Sequence, residues 1–243
     1  MPKAHHPGER KTRTETPRKH LGEDSPTLLG AIPDAFGVGP DDPGRMANNL
    51  MKALDAAFGH PRGKVGELGG RVMAVLNAKV EEHVTEVAAP TAEEVVLVLG
   101  PGPGVGLKLA GERALKAIGV DPSRVMLDEA RDRCAELIVA GRVELREGAA
   151  TRTGQPEDSV DVVISVNNLQ LWGNRPAAFH ELFRVLRPGG RLVVSVHRRV
   201  LDTSEYDLMR EAEAAGFTGV RTSLHQYGGV VGPSVQLLAD VPA

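Results

Sequence analysis

Two features of the chain have the residue types and the spacing for binding a ligand. Five apolar residues, 95–99, lead directly into residues 100–106, which place glycine at every second position. Glycine lets the backbone turn sharply and approach a ligand without an intervening Cβ. About twenty residues further on, a second short apolar run ends in Asp121, whose carboxylate is placed to accept hydrogen bonds from both hydroxyls of a ribose. Together the two features predict a nucleotide-shaped ligand at the edge of a parallel sheet.

The register of the glycines separates the possible cofactors. A dinucleotide fingerprint needs glycine at its first, third and sixth positions. Counted from Gly100 the sixth position is Val105, and counted from Gly102 it is Leu107. A P-loop would continue into Gly-Lys-Ser or Gly-Lys-Thr, and the chain does not. The spacing therefore disfavours both of these phosphate-binding patterns and leaves an alternating glycine loop.

That loop resembles motif I of the class I S-adenosylmethionine-dependent methyltransferases, in which it wraps the methionine part of the cofactor. Three later segments resemble the family in the same order. Residues 119–127 are similar to the second motif, 161–172 to the fourth strand and the loop after it, and 179–192 to the helix, Pro-Gly-Gly turn and fifth strand. The resemblance implies S-adenosyl-L-methionine as cofactor and S-adenosyl-L-homocysteine as product.

The resemblance also implies roles for individual residues. Asp121 would bind the ribose, and Pro122 and Met126 would flank the adenine ring. Asn167, after the fourth strand, would contact the methionine end of the cofactor. The full set of implied cofactor-binding residues is Gly100, Pro101, Gly102, Gly104, Asp121, Pro122, Met126, Ala149, Ala150 and Asn167.

Two positions depart from the family pattern. The family usually has an acid two residues before Gly100, where this chain has Val98, and often an acid that binds the adenine amino group, where this chain has Ala149. The main chain at Ala149 and Ala150 is still expected to hold the base edge, because main-chain groups do not depend on side-chain identity. Each lost hydrogen bond to a charged group costs about 1.5–3 kcal/mol, so we expect cofactor binding that is retained but weaker.

Methyl transfer needs a nucleophile in line with a sulfonium methyl group, so positioning and desolvation carry much of the work. A base is required only where the acceptor still holds its proton. His197, at the end of the predicted fifth strand, is the candidate base, whereas His180 on a helix is expected to be structural or exposed. Candidate substrate-binding residues are Asn168, Gln170 and Trp172. Trp172 is expected either to wall an apolar substrate or to plug the sheet edge.

Composition limits the class of protein. The 243 residues are 41% hydrophobic and 25% charged, as in an ordinary globular domain with one core and an appendage. A net charge of −3 gives no reason to expect nucleic acid or a membrane surface as partner. No apolar run approaches the roughly 20 residues that span a bilayer, and no metal-ligand cluster is evident. We expect a cytoplasmic protein that acts on a small-molecule or peptide substrate; a homodimer stays open.

The chain divides into three parts. Residues 1–24 are polar and should be disordered alone, because such a segment cannot offset its ordering entropy. Residues 25–90 are predicted to form an irregular arm and a helical lid or cap. Residues 91–243 are predicted to form the S-adenosylmethionine-binding catalytic domain.

The cap contains a predicted amphipathic helix. Between residues 65 and 84 apolar side chains recur at spacings of three and four, which makes one apolar face. We expect this face to lie on the catalytic core near the cofactor mouth. Arg71, Met73 and Asn77 are candidate lining residues, although solvation or ordinary packing is the favoured expectation for each.

Strands and helices alternate through the third part. The predicted strands are 95–99, 115–120, 143–146, 160–166 and 191–197, and the predicted helices are 105–113, 123–139, 176–186 and 204–215. A C-terminal hairpin is predicted at 220–225 and 234–239, and His225 and Tyr227 are expected either to join the pocket or, as we favour, to lie on a surface strand. The alternation predicts an α/β fold with a doubly wound, mostly parallel seven-stranded sheet and an N-terminal helical extension. Ligands then bind at the carboxyl ends of the strands, where all the motifs lie.

These observations predict an S-adenosylmethionine-dependent methyltransferase that acts on a small molecule of specialised metabolism. Oxygen is the favoured acceptor atom, with nitrogen and carbon open. One alternative keeps the fold and the cofactor but catalyses a non-methylating reaction, such as a cyclisation. Another is a non-catalytic partner of another enzyme, with residues 1–45 as an interaction arm. Formation of the demethylated cofactor distinguishes the first prediction from the other two.

Overall fold

The computed structural model describes residues 77–227 and 232–243. The predicted polar tail, the irregular arm and the candidate lining residues Arg71 and Met73 lie outside the described residues. The predicted cap is described only from residue 77 onward.

Seven strands form one sheet. They are β1 Val95–Leu99, β2 Lys116–Asp121, β3 Val143–Glu147, β4 Val160–Val166, β5 Leu186–His197, β6 Thr218–Gln226 and β7 Pro233–Asp240. Their order in the sheet is β3-β2-β1-β4-β5-β7-β6. Strands β1 to β5 pair in parallel, and β7 is antiparallel to both β5 and β6. The predicted doubly wound, mostly parallel seven-stranded sheet is confirmed.

Helices flank the sheet on both faces. They are α1 at residues 77–88, α2 Val105–Arg113, α3 Arg124–Arg133, α4 Ala135–Val139, α5 Arg175–Val185 and α6 Glu205–Ala214, with a 3-10 turn at Leu169–Leu171. Polar caps fix several starts: the Ser123 hydroxyl accepts the Met126 N–H, and Asn174 accepts the Ala177 N–H. The single helix predicted over 123–139 is interrupted at Cys134, whose backbone leaves the helical region.

The central strand β1 is buried on both faces, as a parallel strand must be. Leu97 and Leu99 belong to a core cluster under α5 and α6. Val96 and Val98 belong to a second cluster on the other face, together with residues of α1 and α2. The alternation of apolar side chains along the strand thus places Val98 on the α1 side of the sheet.

Helix α1 is held against the sheet along its length. Val80 and Val84 are fully buried in the cluster on its side. At its C-terminal end Arg191 of β5 donates from Nε to the Ala88 carbonyl (2.7 Å) and from Nη1 to Glu94 (2.6 Å). These hydrogen bonds fix the C-terminal end of α1 against strand β5.

Strand β5 begins earlier than predicted. The Pro-Gly-Gly sequence was expected to form a turn before a strand starting at Arg191, but the strand starts at Leu186. Val160 pairs with Leu186 and Val162 pairs with Arg191, so residues 187–190 bulge out opposite Asp161. The Asp161 carboxylate closes this bulge by accepting the Arg187 guanidinium at 2.7 Å.

Candidate cofactor-binding site

The glycine loop lies between the end of β1 and the start of α2. Gly100, Gly102 and Gly104 have positive φ angles of 65°, 50° and 87°, which side chains rarely tolerate. A Cβ at Gly100 would overlap the Asn168 amide, and a Cβ at Gly104 would lie 2.9 Å from the Ala130 Cα. The loop therefore combines left-handed turns with close packing on both sides, and only glycine satisfies both.

Asp121 ends β2 beside this loop. Its side chain is buried, and Oδ1 accepts the Ser123 N–H at 2.8 Å. Burial raises the pKa of Asp121. Hydrogen bonds from the Ser123 and Gly102 N–H groups lower the pKa, but by less than burial raises it. The structure thus brings together the two features from which the ligand was predicted. Pro122 follows directly, and Met126 is nearly buried on the first turn of α3.

Asn167 joins three elements at the carboxyl edge of the sheet. It has a positive φ of 50°, a conformation that asparagine tolerates better than most residues. Its Oδ1 accepts the His197 N–H from the end of β5 at 2.9 Å. Its Nδ2 donates to Oδ1 of Asn77 on α1 at 3.1 Å. Asn77, a candidate lining residue, is therefore bonded to a predicted cofactor-binding residue.

The loop after β4 is arranged by hydrogen bonds among its own side chains. Trp172 Nε1 donates to Asn168 Oδ1 at 2.8 Å, and Gln170 Nε2 donates to the Asn167 carbonyl at 2.9 Å. The Trp172 ring is buried and meets Phe179 edge-on, with centroids 5.4 Å apart. Trp172 thus packs in the core and holds Asn168 over the glycine loop, while its role as a wall of the substrate pocket stays a prediction.

His197 is buried, and its Nδ1 accepts the Arg199 N–H at 3.2 Å. A neutral imidazole has one ring nitrogen that accepts, so this bond assigns the proton to Nε2. Taking up a second proton would break the bond to Arg199. The role of general base stays a prediction for His197. His180 is exposed.

The C-terminal ring residues pack against α1. The His225 ring stacks on His83 of α1 with centroids 3.9 Å apart, and Tyr227 lies 4.5 Å from His225. Desolvation and the neighbouring His83 lower the pKa of His225. The prediction of a plain surface strand missed this contact with α1.

Ala149 and Ala150, whose main chain is predicted to hold the base edge, differ in their own hydrogen bonds. The Ala149 N–H donates to the Arg152 carbonyl at 3.2 Å, and the Ala149 carbonyl accepts the Arg152 N–H at 2.9 Å. Within the described residues, the Ala150 N–H has no such partner. The Ala150 N–H therefore has no main-chain partner in the described part of the chain, and contact of either residue with an adenine edge stays a prediction.

Sequence reasoning missed Glu81 on α1. Its side chain is only 8% exposed, and Oε2 accepts the Gly106 N–H at 2.6 Å, at the start of α2. Burial raises the pKa of Glu81 to about 7, although the Gly106 N–H and the charge of Arg133 lower it. A Cβ at position 106 would overlap the Glu81 carboxylate. The fourth glycine of the alternating run was the one available signal of this contact.

Residues 77–227 and 232–243 contain neither a candidate metal centre nor a candidate membrane-spanning helix. No group of three His, Cys, Asp or Glu side chains there is arranged to hold a metal ion. No helix in the same ranges has the length and apolar character needed to cross a membrane.

A glycine loop after β1, an acid at the end of β2 and one antiparallel strand in a seven-stranded sheet are typical of α/β domains that bind a nucleoside cofactor. Residues 97–194 match the family described as a methyltransferase domain. This match confirms the resemblance of the motifs to the class I S-adenosylmethionine-dependent methyltransferases.

Several curated proteins are similar over this region. An uncharacterised methyltransferase of Bacillus subtilis, YdaC, is 26% identical over 63% of this chain and 87% of its own length. An arsenite methyltransferase of Halobacterium salinarum is 37% identical over 44% of this chain, but over only 28% of its own length. A demethylmenaquinone methyltransferase of Lactiplantibacillus plantarum is 29% identical over 65% of this chain and 63% of its own length.

Solved structures share the fold. A phosphoethanolamine N-methyltransferase of Haemonchus contortus, in complex with S-adenosyl-L-methionine, has a TM-score of 0.63 and 16% identity over 75% of this chain and 59% of its own. The [4+2]-cyclase SpnF has a TM-score of 0.57 and 18% identity over 82% of this chain and 95% of its own. The same sheet therefore occurs in proteins with different reactions, and the site must decide between them.

Proposed function

We propose that this chain uses S-adenosyl-L-methionine to methylate a small molecule of specialised metabolism, with oxygen as the favoured acceptor atom. The observation that carries the proposal is the convergence of the glycine loop, Asp121 and Asn167 at the carboxyl edge of β1, β2 and β4. Ligands of doubly wound sheets bind at this edge.

The residues present fit the cofactor. The backbone at Gly100 and Gly102 has left-handed turns in a loop that a nucleoside is able to approach closely. Asp121 lies against that loop and is proposed to accept the ribose hydroxyls. Pro122 and Met126 are proposed to flank the adenine. The Ala150 N–H is proposed to donate to the base edge, which compensates in part for the absence of an acid at the preceding position.

The residues after β4 are proposed to hold the reacting groups. When bound, S-adenosylmethionine supplies an electrophilic methyl group on a sulfonium sulfur. Asn167 and Asn168 are proposed to position that end of the cofactor and the acceptor, since both are fixed by hydrogen bonds to neighbouring elements. Gln170 would complete the acceptor side. Asn167 and Asn168 would thus hold the nucleophilic atom of the acceptor beside the methyl group that the cofactor supplies, and an acceptor proton would be lost to solvent.

Helix α1 is proposed to cover the methionine end. It is the described part of the predicted cap over residues 25–90, and its Asn77 amide bonds directly to Asn167. Such a cover excludes water from the reacting atoms, as methyl transfer requires. The small-molecule acceptor is supported by the relatives named for arsenite and demethylmenaquinone.

A second candidate function keeps the cofactor but not the methyl transfer. Val98 and Ala149 depart from the methyltransferase pattern, and the cyclase SpnF has the same fold. In this alternative the bound cofactor shapes a pocket in which a substrate rearranges. Such a protein would bind S-adenosylmethionine and release no S-adenosylhomocysteine.

The test is an acceptor screen with methyl-labelled S-adenosylmethionine and the purified full chain. Phenols, enols, carboxylates, amines and thiols are supplied as separate pools, and S-adenosylhomocysteine is quantified. The proposal expects product formation with one pool, reduced in Asp121→Asn. Cofactor binding without S-adenosylhomocysteine in any pool would favour the non-methylating alternative.

A further inference from the structure

Glu81 is a buried carboxylate to which the mechanism above gives no role. It lies on α1 one turn beyond Asn77, and its described hydrogen bond is the one from the Gly106 N–H. Taking a carboxylate out of water is unfavourable unless it is paired or hydrogen-bonded. One main-chain donor satisfies part of the acceptor capacity of two oxygens. The carboxylate is thus under-compensated by the described residues.

The charges around Glu81 are few. Strand β1, which packs on the same side, carries only apolar side chains, and Val98 faces α1. Arg133 of α3 is the cation whose field reaches Glu81, but its Nε donates to the Pro103 carbonyl at 2.7 Å. That bond ties Arg133 to the glycine loop. Within the described residues, no cation makes a direct ion pair with Glu81.

The position of Glu81 relative to the nucleoside site is informative. Asp121 meets the glycine loop at Gly102, whereas Glu81 meets the start of α2 at Gly106. If the ribose of a ligand lies at Asp121, a tail that follows the glycine loop from Gly102 to Gly106 would reach Glu81 on α1. The Asn77–Asn167 bond holds α1 at that edge. That tail carries a primary ammonium, which is the charge that a buried carboxylate lacks.

We propose that Glu81 binds the α-ammonium group of the methionine part of the cofactor, and so supplies from α1 the acid that β1 lacks at Val98. This inference rests on the proposed function. It explains the fourth glycine of the run, because any side chain at Gly106 would displace the Glu81 carboxylate. It also gives a role to the negative charge of Glu81, since a glutamine would make the same hydrogen bond to the Gly106 N–H.

Two ligands separate this role from a purely structural one. S-adenosylhomocysteine carries the α-ammonium, whereas 5′-methylthioadenosine has the same nucleoside and a thioether but no amino-acid tail. Both are titrated calorimetrically into the full chain as wild type, Glu81→Gln and Glu82→Gln. Glu82 is the exposed neighbour on the same helix and serves as the matched control.

The proposal expects Glu81→Gln to weaken S-adenosylhomocysteine binding about 10- to 100-fold, the loss of one charge-assisted hydrogen bond. Binding of 5′-methylthioadenosine should stay within about twofold, and Glu82→Gln should bind both ligands like the wild type. Gly106→Ala, which forces the carboxylate aside, should repeat the selective loss.

Two outcomes would overturn the inference, and a third would refute the proposed function. If Glu81→Gln binds S-adenosylhomocysteine as tightly as the wild type does, Glu81 does not contact the ammonium group. Equal weakening of both ligands would make Glu81 a structural support of the loop. Absence of binding of either ligand to the wild type would instead refute the proposed function, on which the inference depends, so the two failures are distinguishable.

Discussion

Replacing Glu81 by glutamine should stabilise the cofactor-free protein at alkaline pH while it weakens cofactor binding. The change is nearly isosteric, and the amide oxygen of glutamine retains the bond to the Gly106 N–H. It removes only the charge that burial disfavours. A residue whose replacement improves stability and impairs binding is one retained for the ligand rather than for the fold.

The magnitude follows from the pKa of Glu81. Burial raises it from 4.5 to about 7, so the folded state binds the proton more tightly than the unfolded state. The stabilisation by the protonated form is complete below about pH 4.5 and is lost as the pH rises through about 7. A shift of this size corresponds to about 3 kcal/mol. Glu81→Gln has no such titration, so its advantage in the free energy of unfolding should grow from about 1 kcal/mol at pH 5 to about 3 kcal/mol at pH 8.

Urea denaturation of the wild type, Glu81→Gln and Glu82→Gln at pH 5, 6, 7 and 8, followed by circular dichroism, measures this difference. Other shifted carboxylates, such as Glu94 and Glu181, are present in all three proteins and cancel in the comparison. Glu82→Gln should follow the wild type throughout. If Glu81→Gln is no more stable than the wild type at pH 8, the account of a strained buried charge is refuted.

Three further substitutions test the site. Asp121→Asn should weaken S-adenosylhomocysteine and 5′-methylthioadenosine alike, about 10- to 100-fold in calorimetry, because both ligands carry the ribose that Asp121 is proposed to bind. Gly104→Ala should destabilise the protein by about 1–3 kcal/mol in urea denaturation, because a Cβ there meets Ala130 and the φ of 87° disfavours a side chain. Trp172→Phe should leave cofactor affinity within about threefold but reduce methyl transfer by about tenfold, because it keeps the packing and removes the donor that orients Asn168.

Each of these expectations has a result that would contradict it. Selective loss of S-adenosylhomocysteine in Asp121→Asn would place the ammonium, not the ribose, at Asp121. Wild-type stability in Gly104→Ala would mean that the loop relaxes around a side chain. A Trp172→Phe protein with unchanged turnover would show that Asn168 is held without the indole N–H.

Local patterns predicted most of the domain. The glycine run, the apolar strand before it and Asp121 lie within about thirty residues and obey a spacing rule of doubly wound sheets, so their meeting was predictable. The bounds of α2 and β4 were also predicted from periodicity and turn residues. The early start of β5 was not, because the bulge depends on pairing with Asp161 from another strand.

The details of the site depend on contacts between distant segments. Glu81 and Gly106 lie 25 residues apart, and nothing in the helix pattern distinguishes Glu81 from a solvated acid beside an apolar face. The bond between the His197 ring and the Arg199 N–H depends on how the chain turns after β5. The core position of Trp172 depends on Phe179 from the following helix. Residue types therefore indicated the edge of the sheet at which the site lies, while packing determined what each side chain does there.

The central claim is that the carboxyl edge of β1, β2 and β4 binds S-adenosylmethionine. Calorimetric titration of the purified full chain with this cofactor tests it most directly. The account predicts one site with a dissociation constant in the micromolar range, competition by S-adenosylhomocysteine and no heat with NAD. No binding of either sulfur ligand at millimolar concentration, or preferential binding of NAD, would contradict it.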